Sequence, residues 1–198
     1  MCVTGGSIAL WWWWRLHPTP RPFAEDLWVE APHPLITRRR LLEILAPMPG
    51  ERVLEVGPGS GYYALPTAER LGPSGRLDVL DIQQQMLDRT LARARARGLS
   101  QLVASQGDAT KLPYAAGSFD AAYMISTLGQ TADQTAALRE LRRVLRPGGR
   151  LVVGEVAVDP HGVFLGALRR SAAEAGLQLQ ARSGNWVGFF ARLSPTDS

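Results

Sequence analysis

The chain has 198 residues, a formal net charge of +4 and 45% hydrophobic residues, enough for one domain with a substantial core and too few for a second of similar size. Its single cysteine, Cys2, excludes an intramolecular disulfide framework, has no ligand partner near it in sequence and fits a reducing cytoplasm. Lys111 is the only lysine, and the arginines are spread through "TRRRLL", "LARARARG", "LRRVLR" and "ALRR"; this reads as solvated helix faces rather than a basic block with interleaved aromatics, so nucleic acid is a secondary partner reading kept open by the basic balance alone.

In chain order, the first feature is "IALWWWW" at 8–14. About seven apolar residues precede Arg15, against roughly 20 needed to cross a bilayer. The stretch also lacks a basic leader and a small-residue cleavage pattern, so it does not read as a signal peptide. Tryptophan favours membrane interfaces, which leaves peripheral membrane contact as a reading. Residues 15–34 carry five prolines and no sustained period, predicting an irregular arm with one short helical turn around Phe23 to Val29. The expected organisation is an aromatic, proline-rich arm over 1–34, contributing to a substrate cover, and one domain over 35–198.

From there the pattern is regular. "LITRRRLLEILAP" has the spacing of a helix ending before Pro47. "ERVLEVGPG" is a nearly continuous apolar run ending in glycines, as in a strand buried on both faces of a parallel sheet. A helix in "YYALPTAERLG" follows, then a strand in "GRLDVLDI", a helix in "QQMLDRTLARARARG", a strand in "QLVASQGDA" and a strand in "FDAAYMIS". "DQTAALRELRRVLRPGG" predicts a helix with an apolar face at Ala137, Leu138, Leu141, Val144 and Leu145, stopped by Pro147, Gly148 and Gly149. A strand in "RLVVGEVAV", a helix in "VFLGALRRSAAEAG" and two strands joined by "SGN" complete the chain. This alternation predicts an α/β fold: a doubly wound, Rossmann-like sheet of seven strands, mostly parallel with an antiparallel last strand, and helices on both faces.

Ligands of such sheets bind beyond the carboxyl ends of the strands. The first strand runs into "EVGPGSGYY", where Gly57, Gly59 and Gly61 let the chain turn tightly and bring bare backbone to a ligand. No Lys-Ser/Thr follows, which disfavours a phosphate loop, and Tyr62 stands where a dinucleotide fingerprint needs glycine. Asp81 ends the second strand, 20 residues after Gly61, where a carboxylate accepts both hydroxyls of a ribose; the alternative is a cap for the following helix. Asp108, in "GDATKLPY", accepts from an adenine amino group while the Ala109 N–H meets a ring nitrogen; the alternative is a turn-forming aspartate. Together they describe one adenosine pocket.

The set "VLEVGPGSG", "VLDIQQQML", "GDATKLPYAAGSFDAAYM" and "LRELRRVLRPGGRLVVGE" closely resembles the class I S-adenosylmethionine-dependent methyltransferases, in particular the compact group similar to ubiquinone/menaquinone-biosynthesis enzymes, over roughly residues 35–192. The resemblance implies that Gly57, Pro58, Gly59 and Gly61 form the cofactor loop, with Glu55 supporting that loop or the cofactor's amino group. It implies Asp81 on the ribose, Ile82 and Met86 against adenine, Asp108 and Ala109 on the adenine edge, and Ser126 near the reactive methyl. Asp120 reads as structural. Many relatives carry a histidine pair after the fourth strand, where this chain has "ISTLGQTAD", which puts a histidine base there in doubt.

The expected cofactor is S-adenosylmethionine and the expected partner a small, partly hydrophobic acceptor, methylated by in-line displacement; no metal is expected. Polar candidates for the acceptor side are His33, Tyr63, Gln130 and His161, with Trp28 as an apolar wall. Glu155 either orients substrate or is a buried strand carboxylate. Methylation of RNA or protein, and a non-catalytic cofactor-binding or membrane-surface module, are the alternative functions.

Overall fold

The computed structural model describes residues 36–157 and 159–196. The expected arm over 1–34, with Trp28, His33 and the tryptophan run, lies outside them. The elements in order are α1 (Arg38–Leu45), β1 (Arg52–Val56), α2 (Ala64–Leu71), β2 (Arg76–Asp81), α3 (Gln84–Ala96), β3 (Leu102–Gln106), β4 (Phe119–Ile125), a 3₁₀ turn (Leu128–Gln130), α4 (Gln134–Val144), β5 (Leu145–Val156), α5 (Leu165–Glu174), β6 (Leu177–Gly184) and β7 (Gly188–Pro195).

The seven strands form one sheet in the order β3-β2-β1-β4-β5-β7-β6. β1 to β5 pair in parallel, whereas β7 pairs antiparallel with both β5 and β6. The chain steps outward from β1 to β3, then returns to lay β4 on the other side of β1, so the strand order switches between β1 and β4. A crevice opens at that point in any sheet wound this way, because the helices after β1 and β4 leave toward opposite faces.

Alternation along the strands sorts the core into two layers. Leu54, Val56, Ala122, Met124, Leu151 and Val153 face α4 and α5, meeting Leu138, Leu141 and Leu168. Val53, Leu77, Val79, Ala121 and Tyr123 face α1, α2 and α3, meeting Leu41, Leu65, Ala68 and Leu87. Helix ends follow local chemistry: Thr37 caps α1 by accepting from the Arg40 N–H, and Asp133 caps α4 by accepting from the Ala136 N–H.

The helix before the "RPGG" segment ends earlier than its sequence suggests. α4 stops at Val144, and Leu145 already pairs with Phe119 as the first residue of β5. Pro147 cannot extend a helix, and pairing beside β4 satisfies the backbone instead, with a register shift between Phe119 and Ala121 absorbing the glycines.

Ion pairs fasten the amino ends of the strands. Asp78 is buried between the guanidinium groups of Arg52 and Arg76, 3.0 and 2.7 Å away. Asp120 accepts from the Arg52 N–H at 2.7 Å and pairs with Arg146, which gives it the structural role its sequence position suggests.

Candidate functional site

At the opposite, carboxyl ends of the strands a cavity of about 270 Å³ opens beside the switch between β1 and β4. Its walls come from successive strand ends: Gly57 and Gly59 after β1, Asp81 to Gln83 and Met86 at the junction of β2 and α3, Gly107 to Ala109 after β3, and Ile125 to Thr127 with Gln130 after β4.

The glycine loop has its shape for local reasons. Gly57, Gly59 and Gly61 all have positive φ, at +73°, +53° and +83°. The Gly57 N–H donates to the Leu80 carbonyl at 2.8 Å, tying the loop to the neighbouring strand. α3 holds the loop from the side: the Thr90 hydroxyl donates to the Gly59 carbonyl at 2.9 Å and the Arg93 guanidinium to the Ser60 carbonyl at 3.0 Å. Gly61 packs against Thr90, where a Cβ would lie 3.2 Å from Cγ2. It therefore seats the loop on α3 and stays outside the cavity lining.

The two aspartates share a geometry. Asp81 is half-buried, and its Oδ1 accepts from the Gln83 N–H at 2.9 Å. The helix cap itself is Gln83, so Asp81 forms an Asx-turn ahead of the helix. Asp108 accepts through Oδ1 from the Thr110 N–H and hydroxyl at 2.8 and 2.9 Å, the turn-forming arrangement. Both carboxylates thus organise their own loops while lining the cavity. The Gly107 N–H to Asp81 carbonyl bond, 3.0 Å, aligns the two loops. Ile82, Met86 and Ala109 supply apolar surface beside the carboxylates.

At the β4 end the lining is neutral and polar, with Ser126, Thr127, Gln130 and Thr131. Ser126 has φ +50°. Its N–H donates to the Gly154 carbonyl at 2.8 Å, and its carbonyl accepts from Nε2 of Gln130 at 2.6 Å.

Of the expected site residues, Gly57, Gly59, Asp81, Ile82, Met86, Asp108, Ala109, Ser126 and Gln130 meet around the cavity. Glu55, Pro58, Gly61, Tyr63 and His161 do not line it. Glu55 points to the α1–α2–α3 face of the sheet, where it is buried and accepts from the Tyr123 hydroxyl at 2.7 Å. Burial pushes its carboxyl up to about 8; the Tyr123 bond opposes the rise and the charge of Asp81 adds to it. Pro58 is buried within the loop. Tyr63, also buried, donates its hydroxyl to the Ile36 carbonyl at 2.5 Å and so anchors the start of α1. His161 is held in its loop by an N–H bond to Asp159 Oδ1 at 2.9 Å, and its carbonyl packs against Gly129. Glu155 is a buried strand carboxylate, accepting from the Val163 N–H at 3.3 Å.

Thr127, Gln83, Gly107, Thr131 and Ala132 line the cavity without having stood out in the sequence. Thr127 carried one signal only, its position directly after the expected strand-end serine. Among the described residues, no group of three or more His, Cys, Asp or Glu is placed to hold a metal ion. No described helix is long and apolar enough to cross a membrane.

Residues 54–153, half of the chain, match the family described as Methyltransferase domain. The chain belongs to this family. Matched relatives include demethylmenaquinone and ubiquinone/menaquinone biosynthesis methyltransferases, and the family's cofactor is S-adenosylmethionine. A demethylmenaquinone methyltransferase of Deinococcus radiodurans is 41% identical over 127 residues, 64% of this chain and 52% of that protein. The nocamycin O-methyltransferase of Saccharothrix syringae is 38% identical over 113 residues, 57% of this chain and 40% of that protein. Matched regions thus span about half the length of these curated relatives. A SAM-dependent methyltransferase from Aquifex aeolicus has the same fold, with a TM-score of 0.78 at 19% identity over 88% of this chain and 98% of that one.

The cavity's donor set suits the family's cofactor. Bare backbone at Gly57 and Gly59, two carboxylates on neighbouring strand ends, apolar surface beside them and neutral polar groups at the far end are the chemistry an adenosine joined to an amino-acid tail requires.

Proposed function

We propose that this member of the methyltransferase family binds S-adenosylmethionine in the cavity at the β1–β4 switch and transfers its methyl group to a small, partly apolar acceptor. The observation that carries this reading is the convergence of Gly57, Gly59, Asp81, Asp108 and Ser126 on one cavity from four successive strand ends.

In this reading Asp81 accepts from the ribose hydroxyls, Asp108 and the Ala109 N–H meet the adenine edge, and Ile82 and Met86 pack against its faces. Gly57 and Gly59 let the methionine portion approach the backbone, with Ser126 beside it. The bound cofactor supplies an activated methyl on a sulfonium, so the protein's share of the chemistry is alignment and exclusion of water. In-line placement of the acceptor contributes up to about 7–11 kcal/mol in ideal cases. The side chains of Ser126 and Thr127 at the β4 end are neutral, which suits an acceptor that needs orientation more than proton removal.

Two further features support an apolar acceptor. Trp186 and Phe164, 78% and 48% exposed, stand at the same end of the sheet, next to β7 and after β5. The curated relatives carry the names demethylmenaquinone methyltransferase and nocamycin O-methyltransferase, which supports a small molecule over RNA or protein. The lone cysteine supports a reducing, cytoplasmic setting.

Calorimetric titration of the full chain with S-adenosylmethionine, S-adenosylhomocysteine and NAD tests the reading. Both sulfur compounds should bind and NAD should not; Asp81→Ala should weaken them by roughly tenfold to a hundredfold, the scale of losing one charge-assisted hydrogen bond. Failure of the unmodified chain to bind either sulfur compound would overturn the assignment. A screen of acceptors, read by S-adenosylhomocysteine formation, then identifies the substrate.

A further inference from the structure

The chain leaves β4 through a backbone conformation that side-chain-bearing residues avoid. Ser126 has φ +50°, and Ala46 is the only other described non-glycine residue with positive φ. Ala46 caps the carboxyl end of α1, where a left-handed residue is ordinary. Ser126 follows a strand, so no helix end accounts for it. Such residues persist where surrounding contacts over-determine them, and they gather at binding and catalytic sites.

Both backbone polar groups of Ser126 are fixed. On one side its N–H donates to the Gly154 carbonyl of β5 at 2.8 Å; on the other its carbonyl accepts from Nε2 of Gln130 at 2.6 Å. Gln130 is itself placed by the 3₁₀ turn, where its N–H donates to the Thr127 carbonyl at 3.0 Å. Thr127 returns its hydroxyl to the Ile125 carbonyl at 2.9 Å. The residues in this ring, Ile125, Ser126, Thr127 and Gln130, line the cavity. Across from them is Gly57, whose bare α-carbon leaves just enough room for Thr127. If Ser126 relaxed to negative φ, the chain direction after β4 would change and Thr127 could not keep its place against Gly57.

We infer that Gln130 is a positioning residue: its amide clamps Ser126 in the left-handed conformation and thereby sets the β4 wall of the cavity. It acts through Ser126 rather than by touching the acceptor, which changes the role its sequence position suggested. The inference rests on the methyltransferase reading for its functional meaning, but the clamp can be tested separately.

The test is a mutant cycle in the full chain with Gln130→Ala, Ser126→Gly and the double substitution. Glycine adopts φ +50° without strain, so a chain carrying Ser126→Gly has no need of the clamp. S-adenosylhomocysteine affinity, read by calorimetry, should fall about tenfold for Q130A in the unmodified background and less than about twofold in the S126G background. Melting temperature should follow the same pattern, with a drop of several degrees for Q130A that largely disappears beside S126G. Equal losses in both backgrounds would mean direct contact with the ligand and overturn the clamp, as would a silent Q130A. If the unmodified chain fails to bind S-adenosylhomocysteine, the functional reading falls, and the melting-temperature cycle alone still decides the clamp.

Discussion

A methyl group placed on Gly57 would lie 2.6 Å from Cγ2 and 3.0 Å from Cβ of Thr127, and closer still to its hydroxyl oxygen. The two residues are 70 positions apart in the chain and lie just past the ends of the two strands that flank the topological switch. Their contact is where the loops after β1 and β4 set each other's position at the cavity.

Gly57→Ala should therefore fail for two reasons, the collision with Thr127 and a φ of +73°. The expected loss of stability is about 2–5 kcal/mol, with S-adenosylhomocysteine affinity at least tenfold weaker. Adding Thr127→Ala removes the nearest atoms but leaves the backbone strain, so it should restore roughly half of the stability. Urea unfolding of the single and double variants checks this. Full recovery would mean that the backbone conformation is of no consequence.

Glu55 and Tyr123 are register partners on β1 and β4, joined by a 2.7 Å hydrogen bond in the buried layer. With the Glu55 carboxyl pushed up to about 8 by burial, the folded chain holds a proton that the unfolded chain gives up near the ordinary carboxylate value. The stability this group contributes is then fully present below about pH 4.5 and is lost progressively as pH rises to about 8. Glu55→Gln keeps an acceptor for Tyr123 and cannot ionise. Its melting temperature relative to the unmodified chain should rise by at least about 5 °C between pH 5 and pH 8.5. A difference that stays constant with pH would show that Glu55 is already ionised in the fold.

Arg150 joins α1 to the start of the β5 core. Its guanidinium pairs with Glu51 at 2.6 and 2.9 Å and donates to the Leu45 and Ala46 carbonyls at the end of α1. Both side chains of the pair are mostly buried. Arg150→Ala leaves a carboxylate and two carbonyls without that donor, so a loss of about 2–4 kcal/mol is expected. Because this cluster sits at the end of the sheet opposite the cavity, S-adenosylhomocysteine affinity of the folded variant should change by less than about twofold. A large loss of affinity with intact stability would reverse the assignment.

Trp186 has a different profile. It stands at the tip of the β6–β7 turn, whose shape is fixed by Asn185: the side-chain Oδ1 accepts from the Val187 and Gly188 N–H groups at 2.9 and 3.2 Å. The Val187 carbonyl in turn accepts from the Ala157 N–H at 2.7 Å, just past the end of β5. Trp186→Ala should leave stability within about 0.5 kcal/mol, as expected for an exposed side chain, and leave cofactor affinity unchanged. Turnover of apolar acceptors found by screening should fall about tenfold. An unchanged rate would remove the tip from the acceptor side.

Much of this architecture is written locally. β1, β2 and β4 are short, largely apolar runs, the first two bounded by glycine or acidic residues and the third by serines, the pattern of strands buried on both faces. The site was legible for a related reason. Gly57, Asp81 and Asp108 follow directly from strand ends, so their spacing along the chain already places them on one edge of the sheet. Glu55 was not legible in the same way, because alternation along β1 assigns its face only once the helices covering each face are known. Tyr63 and His161 looked like site residues through proximity in sequence to cavity loops, yet the Tyr63 hydroxyl goes to the Ile36 carbonyl and His161, whose backbone N–H meets Asp159, stands outside the cavity lining.

The sequence by itself determined the alternation of strands and helices, the glycine loop and the two carboxylates, one ending β2 and one just past β3. These depend on residue type and on neighbours a few positions away. Tertiary structure alone decided that β7 inserts between β5 and β6, that Thr127 fills the space beside Gly57, and that Gln130 turns back to hold Ser126. Each of these joins groups whose separation is fixed by packing and hydrogen-bond direction in three dimensions, and neither periodicity nor composition along the chain encodes that geometry.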